Sequence, residues 1–273
     1  MTPKVSVVST VYNGMPYFDR AIPSILAQSF DDFEFILVDD GSTDGTLAEL
    51  RKLEEHESRV RVFAPGRLGA AKAVNYGVAQ ARGEYIARQD FDDQSHPDRL
   101  RLQVALLDAH PDVGLVGGYY VLVDERRGER YIRMPPTDHA SILAAMARYI
   151  PIAHTTATFR RRAWAEADGY AIVKNLIDLR FYLRLGKLGW RFANVPQVIG
   201  THYVHESSFF HSSLSYGERQ RDLAGVQAQV VRELRLPSWM YLFALGRYAY
   251  AYIPPGLKRK LRRGVMGMRE RDV

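Results

Sequence analysis

Along the first hundred residues, short β-rich runs alternate with helical patterns. Val5-Ser6-Val7-Val8-Ser9 reads as a strand that stops at a polar turn, Thr10 to Gly14. Phe18, Ile22, Ile25 and Leu26 then recur on one face at helical spacing. Phe33 to Val38 predicts a second strand, ending in Asp39-Asp40-Gly41-Ser42, and a helix follows from Asp44, its N-cap, to about Glu54. Val60 to Phe63 predicts a third strand, Gly69 to Ala81 a small-residue helix, and Glu84 to Ala87 a fourth strand leading to Asp90-Phe91-Asp92-Asp93. The next helix opens near Pro97, a residue favoured at the first helical position. Strands alternating with helices of about ten residues predict a mostly parallel, doubly wound α/β sheet. In such sheets ligands lie at the carboxyl ends of the strands, which is where the acidic and glycine-containing turns fall.

After Pro111 the pattern changes. Val113 to Val123 and Arg130 to Met134 predict partner strands, Asp138 to Arg148 a helix and Thr156 to Arg160 another strand. Asn175 to Leu188 predicts a strongly amphipathic helix, and Phe192 to Tyr203 is again extended. This half completes one mixed sheet rather than a separate domain. From about Ser212 the chain reads as helices to its end.

A chain of 273 residues with 47% apolar and 25% charged positions is globular and buries a sizeable core, which excludes wholesale disorder. There is no cysteine, so disulfides, thiolate zinc sites and a cysteine nucleophile are excluded. The net charge is +6, yet residues 256–273 alone hold seven basic and two acidic residues, so the body is nearly neutral. A neutral body offers no basic groove for nucleic acid. Met1-Thr2-Pro3-Lys4 runs straight into a strand, unlike a signal peptide, and no window supplies the roughly 20 apolar residues that span a bilayer. The expected location is cytoplasmic.

Asp90-Phe91-Asp92 is a D-x-D element at a strand end. Hard divalent cations take carboxylate oxygens, with substrate phosphates completing the shell. By itself the motif is also what a solvated turn looks like. Asp39-Asp40 at the preceding strand end supplies acceptors for a base imide or for ribose hydroxyls. Gly66-Arg67-Leu68-Gly69-Ala70-Ala71 lacks the spacing of a phosphate loop, so its small residues are expected to pack a helix closely on the sheet. The single Gly14 of the first turn argues against a dinucleotide dehydrogenase.

Together these blocks carry a resemblance. Val5 to Gly14, Ser24-Ile25-Leu26-Ala27-Gln28-Ser29, Phe33 to Thr46, and Ala81 to Arg88 leading into Asp90-Phe91-Asp92-Asp93 resemble family 2 glycosyltransferases, in order and densely over the first hundred residues, then more thinly to about Ser208. The resemblance implies a GT-A fold and inverting transfer from a nucleotide-sugar donor. It implies one domain over 1–210, with 1–100 the nucleotide-sugar half and 101–210 the acceptor half, and a helical C-terminal extension with a basic tail over 211–273.

The resemblance also implies roles. Thr10 and Tyr12 would line the nucleotide pocket and Asp40 would contact the base. Asp39 would reach the nucleotide or brace the turn, and Arg67 is a further donor contact. Asp92 would be the principal ligand of Mn²⁺ or Mg²⁺, with Asp90 nearer the ribose or the metal's waters. Tyr203-Val204-His205 is similar to an element whose His approaches the metal or diphosphate. His154-Thr155-Thr156 matches a region on the acceptor side. Asp168-Gly169-Tyr170 resembles a Gly-Gly-Tyr turn with its first Gly replaced. Asp178, opening the Asn175 helix, falls on the position of the catalytic base, with Ile177 where the family has Glu. The acceptor would be a saccharide or lipid-linked saccharide in surface polysaccharide or glycoconjugate synthesis. A non-catalytic nucleotide-sugar or membrane-binding module of the same fold is the alternative. A sugar nucleotidyltransferase would open with a basic, glycine-rich first turn, which Thr10-Val11-Tyr12-Asn13-Gly14 is not.

Trp239, Tyr241, Phe243, Tyr248, Tyr250 and Tyr252 precede the basic run Lys258 to Arg263. Aromatics followed by cations suit an anionic lipid interface, so 239–263 is a candidate for peripheral attachment to the cytoplasmic face of a membrane. A terminal helix packed on the body, with a solvated tail, is the competing reading.

Overall fold

The computed structural model describes residues 2–205, 216–253 and 269–272. The first half runs β1 (Val5–Val11), α1 (Phe18–Leu26), β2 (Phe33–Asp39), α2 (Thr46–His56), β3 (Val60–Phe63), α3 (Ala70–Ala79), β4 (Tyr85–Asp90), β5 (Gln94–Ser95) and α4 (Arg99–Ala109). The second runs β6 (Val113–Asp124), β7 (Glu129–Met134), α5 (His139–Met146), β8 (Thr158–Arg160), α6 (Arg161–Glu166), α7 (Ile177–Lys187) and β9 (Arg191–Val204). Then come α8 (Tyr216–Glu233), α9 (Tyr241–Ala251) and β10 (Arg269–Asp272).

The strand order is β10-β7-β6-β8-β4-β1-β2-β3, with β9 along β6 and the short β5 paired to β9. The strands β4, β1, β2 and β3 are mutually parallel, and β8 joins β4 antiparallel, so the α/β mixed sheet read from the pattern is the one formed. Period-two alternation explains its two-sided burial. Val5, Val7, Phe35 and Leu37 enter one core with Ile22, Ile25, Leu50 and Leu107. Val8, Ile36 and Val38 enter the other with Val74, Val78, Phe159, Phe181 and Leu185. On that second face α3 packs so closely that a Cβ on Gly77 would sit 2.7 Å from Val8 Cγ1, which is the close helix packing expected of this small-residue helix.

Several boundaries differ from the sequence reading. Asp44 is not the N-cap of α2. Gly45 holds that place at φ +93°, while Asp44 Oδ1 takes the Thr46 amide and hydroxyl and its Oδ2 the Met15 amide. α4 starts at Arg99 rather than near Pro97, with Asp98 at its cap. α6 is too short to announce itself by periodicity. The chain does not end in helices, because Arg269–Asp272 adds an antiparallel edge strand to β7. The run Lys258 to Arg263 lies outside the described residues.

Candidate active site

Register sets the site. Thr10 of β1 lies opposite Val38 of β2 and Asp90 of β4, and Val11 lies opposite Asp39. The two acidic turns and the first turn therefore open at one level, at the carboxyl edge of three adjacent parallel strands. The turn after β1 is stitched there to the Asp39-Asp40 turn. The Asn13 amide donates to Ser42 Oγ at 2.9 Å, Asn13 Oδ1 accepts the Thr43 amide at 2.8 Å, and the Gly14 amide donates to Thr46 Oγ1 at 2.8 Å. Gly14 is required by proximity, since a Cβ there would lie 2.3 Å from Val11 and 2.7 Å from the Phe91 ring.

The first acidic turn is tied to its own surroundings. Asp39 Oδ1 accepts the Gly41 and Ser42 amides at 3.1 and 3.0 Å, so this carboxylate braces the turn, while its buried Oδ2 has no hydrogen-bond partner. Asp40 Oδ1 accepts the Leu68 amide at 2.6 Å and the Gly69 amide at 3.1 Å, and its Oδ2 accepts Arg67 Nη1 at 2.9 Å. The glycine-containing loop thus spends its amides on Asp40. The Arg67 guanidinium lies 3.6 Å from the centroid of the Tyr12 ring. Tyr12, Asp40 and Arg67, separated by up to 55 positions, form one cluster with Tyr12 half exposed.

The second acidic turn is tied to distant elements. β5 pairs with β9 through Gln94 opposite Thr201. That pairing delivers the end of β9 to the turn. Asp93, fully buried, accepts the Tyr203 amide at 2.8 Å and pairs with His202 Nδ1 at 2.8 Å. Burial works against the His202 imidazolium, but the Asp93 carboxylate outweighs it and raises the His202 pKa. Asp92 Oδ2 stands 2.9 Å from His205 Nε2, and Tyr17 Oη stands 3.1 Å from His205 Nδ1. The fold therefore joins Asp92 and His205 across 113 positions of chain.

Asp90 faces the other way. Its Oδ1 accepts Arg88 Nη2 at 3.0 Å and lies 3.5 Å from His154 Nδ1, and its amide donates to Thr155 Oγ1. Burial opposes its ionisation, yet His154 and Arg88 outweigh that and hold the carboxyl below the usual range. His154 Nε2 lies 3.2 Å from Tyr170 Oη. The Asp168-Gly169 turn places Tyr170 there with φ of +53° and +62°, a conformation that Asp tolerates better than most residues. Asp178 opens α7 after Leu176, which is left-handed at φ +53°. Its Oδ1 accepts the Leu179 amide at 2.8 Å. Burial pushes the Asp178 carboxyl up, against the lowering effect of His154 and of the Leu179 amide.

Among the described residues, no three His, Asp or Glu side chains converge to hold a metal unaided. The carboxylate oxygen and imidazole nitrogen of Asp92 and His205 fit a divalent ion that draws its remaining ligands from a diphosphate and water. A cavity of about 500 Å³ opens at the opposite strand ends beside Glu84, Tyr85 and Arg160, and one of about 590 Å³ lies between α3 and α6. The convergent polar groups locate the chemistry better than either concavity. Sequence reading missed Arg88, Asp93, His202, Tyr17 and the cross-bracing by Asn13 and Thr46. Of these only Asp93 carried a signal, as the last residue of the acidic turn.

The family model for "Glycosyl transferase family 2" matches residues 6–169. The chain is 33% identical over 278 residues to the Bacillus subtilis (strain 168) protein EpsE, which bears a glycosyltransferase name, covering 98% of this chain and 96% of that one. It is 30% identical over 218 residues to a chondroitin synthase of Pasteurella multocida (strain Pm70), covering 74% of this chain and 21% of the synthase. Among solved structures it resembles S. aureus TarS 1-349 in complex with UDP-GlcNAc, with TM-score 0.66, 20% identity, and 95% of this chain and 85% of that one covered. It also resembles the Pyrobaculum calidifontis mannosyltransferase PcManGT in complex with GDP-Man and Mn²⁺, with TM-score 0.65, 22% identity, and 97% and 80% covered. These structural likenesses establish a common fold.

Proposed function

The chain belongs to glycosyl transferase family 2, and on that premise we propose that it is a metal-dependent inverting transferase. It moves a sugar from a nucleoside-diphosphate donor, a UDP-sugar first, to a hydroxyl of a saccharide or lipid-linked saccharide in polysaccharide or glycoconjugate synthesis. The observation that carries this reading is the convergence of Asp92 with His205, and of Asp90 with His154, at the carboxyl edge of β1 and β4. The chondroitin synthase relative and the nucleotide-sugar complexes of the structural neighbours support the substrate class. The partners on this reading are the donor, the acceptor and an anionic membrane surface reached through 239–263.

Thr10 and Tyr12 line the nucleotide pocket. The unpartnered Asp39 Oδ2 and the Asp40 carboxylate are the acceptors for base and ribose. A base imide reaches Asp40 Oδ2 when Arg67, whose side chain is 56% exposed, releases it and swings toward the diphosphate. Asp92 and His205 would hold Mn²⁺ or Mg²⁺, which when bound neutralises charge on the leaving diphosphate. Tyr17 fixes the His205 ring. Asp90, held ionised, takes the ribose or the waters beside it.

Transfer is one in-line displacement. The acceptor oxygen bonds to the anomeric carbon as the bond from that carbon to the diphosphate breaks, and the acceptor proton passes to Asp178. Leu179 occupies Asp178 Oδ1, which leaves Oδ2 to receive the proton. The raised pKa strengthens this carboxylate as a base. Ile177 supplies no second carboxylate, and a single base suffices because no covalent intermediate forms.

Thermal shift with UDP, dTDP and GDP, each with and without Mn²⁺, tests the donor site. The expected outcome is a melting temperature raised by one nucleotide only when Mn²⁺ is present. A shift by nucleotide alone would overturn the metal dependence. No shift with any of them would favour the non-catalytic module.

A further inference from the structure

The helix α9 is turned the wrong way round for a water-soluble surface. Its single charged residue, Arg247, points into the protein, donating to Gln227 Oε1 at 2.9 Å, to Gln220 Oε1 at 2.7 Å and to the Arg148 carbonyl at 2.7 Å. Met240, Ala244, Tyr250 and Ala251 are buried against the body. What faces outward is Trp239, Tyr241, Leu242, Leu245, Tyr248 and Tyr252, between 39% and 65% exposed. The remaining exposed positions, Gly246 and Ala249, add no charge. A surface helix normally hides its apolar stripe and shows its charges. Here the stripe is shown because Arg247 is consumed inside.

The composition of this face says what covers it. Two leucines at its centre are flanked by four aromatic rings that carry a hydroxyl or an indole N–H, the amphipathic side chains that settle at the level of lipid headgroups. Tyr252 donates to the Tyr248 hydroxyl at 3.2 Å, and the Arg221 guanidinium stands 5.6 Å from the Tyr252 ring, a cation at the rim of the face. After Ile253 the sequence passes through Pro254-Pro255-Gly256-Leu257 to Lys258, Arg259, Lys260, Arg262 and Arg263. An apolar, aromatic-edged face followed by five clustered cations is complementary to an anionic bilayer surface.

We infer that the outward face of α9 is the surface by which this protein lies on an anionic membrane, with Leu242 and Leu245 entering the acyl boundary. This rests on the membrane partner named above and assigns it to one face. The geometry also connects it to the reaction. α9 packs on α8, and α8 is tied to α7 by the Arg180–Asp222 ion pair at 3.0 Å and by Lys187–Glu233 at 2.8 Å. The helix that opens with Asp178 is therefore two helices from the membrane face.

The test is cosedimentation of the full chain with vesicles of phosphatidylcholine alone and of phosphatidylcholine with phosphatidylglycerol. It compares wild type, the pair Leu242→Gln with Leu245→Gln, and a variant with the five cations of 258–263 changed to Gln. The leucine pair is expected to bind anionic vesicles about 10- to 100-fold more weakly, since both side chains lose apolar burial. The cation variant is expected to lose the preference for anionic over neutral vesicles. Because both leucines are exposed, melting temperature and the nucleotide-dependent shift should match wild type, which separates this outcome from failure of the donor site. Wild type that ignores both vesicles would overturn this assignment and the membrane partner together. Equal binding by wild type and the leucine pair would overturn the α9 face alone and leave attachment to the tail. A wild-type dimer that the leucine pair converts to monomer, with no vesicle binding, would assign the face to a second copy of the chain instead.

Discussion

Two acidic turns stand side by side at the carboxyl edge of the sheet, and they have opposite construction. Asp39 Oδ1 and the Asp40 carboxylate are met from nearby, by amides of their own turn and of the loop Arg67-Leu68-Gly69. Asp90, Asp92 and Asp93 are met by side chains from elements 64 to 113 positions away, namely His154, His205 and His202. The first turn is a backbone structure that shapes a pocket. The second is a meeting point of titratable groups, whose geometry exists only when β9 has paired with β5. Equal acidity in sequence therefore conceals a difference between a scaffold and a reactive centre.

Neither turn contributes the base on this account, so the strongest way to break the comparison is Asp178→Asn. Transfer should fall by about 10²- to 10⁴-fold, the worth of a general base, while the nucleotide-dependent thermal shift is retained. Wild-type transfer by the Asn variant would sink the assignment. The pH profile sharpens it. Burial raises the Asp178 pKa, so the active carboxylate is lost as pH falls through a value above the ordinary carboxylate range, and kcat/KM should decline earlier on the acid side than an exposed Asp would give. The linkage has the matching sign. A raised acid pKa means the folded state favours the proton, so stability is lost as pH rises past the unfolded value. The Asn variant should therefore melt no lower than wild type at neutral pH.

Next in size is Asp92→Asn. The second turn should lose its Mn²⁺-dependent nucleotide shift, and kcat should fall by about 10²- to 10³-fold, the several kcal/mol of charge stabilisation a metal supplies. An unchanged Mn²⁺ response would mean that the two turns do not differ in this way. The smallest effect is expected at the scaffold. Asp40→Asn places an amide NH₂ against Arg67 or the loop amides, at a cost of about 1–3 kcal/mol. That would be seen as a melting temperature lowered by roughly 2–4 °C per kcal/mol, with KM for the donor changing more than kcat. A kcat loss equal to that of Asp92→Asn would make the first turn reactive as well.

The first turn was largely readable in advance because its residues are local or belong to consecutive βα units, whose register follows from parallel pairing. Asp44 shows the limit even there. Its residue type suits a cap, but Gly45 took the left-handed position and freed the Asp44 carboxylate to tie this turn to Met15, just after β1. At the second turn, Asp90 and Asp92 stood out as a D-x-D element at a strand end, but His205 could be named only through family likeness. No spacing along the chain joins positions 113 apart, and the pairing of Asp93 with His202 and of Arg88 with His154 left no pattern in it.

By itself the sequence determined the elements and their layering. Near-continuous apolar runs such as Phe33 to Val38 require a sheet covered on both faces, and turns must follow the strands where the polar residues stand. It also determined the chemical inventory, which is rich in carboxylates, free of cysteine and basic mainly at its end. The tertiary structure decided which carboxylate meets which histidine and which way α9 faces. Both are outcomes of long-range pairing. β9 reaches the acidic turn through two residues of β5, and Arg247 turns inward because Gln220, Gln227 and the Arg148 carbonyl wait for it there. Local pattern carries the energy of burial, but it carries no address for a partner more than a hundred positions away.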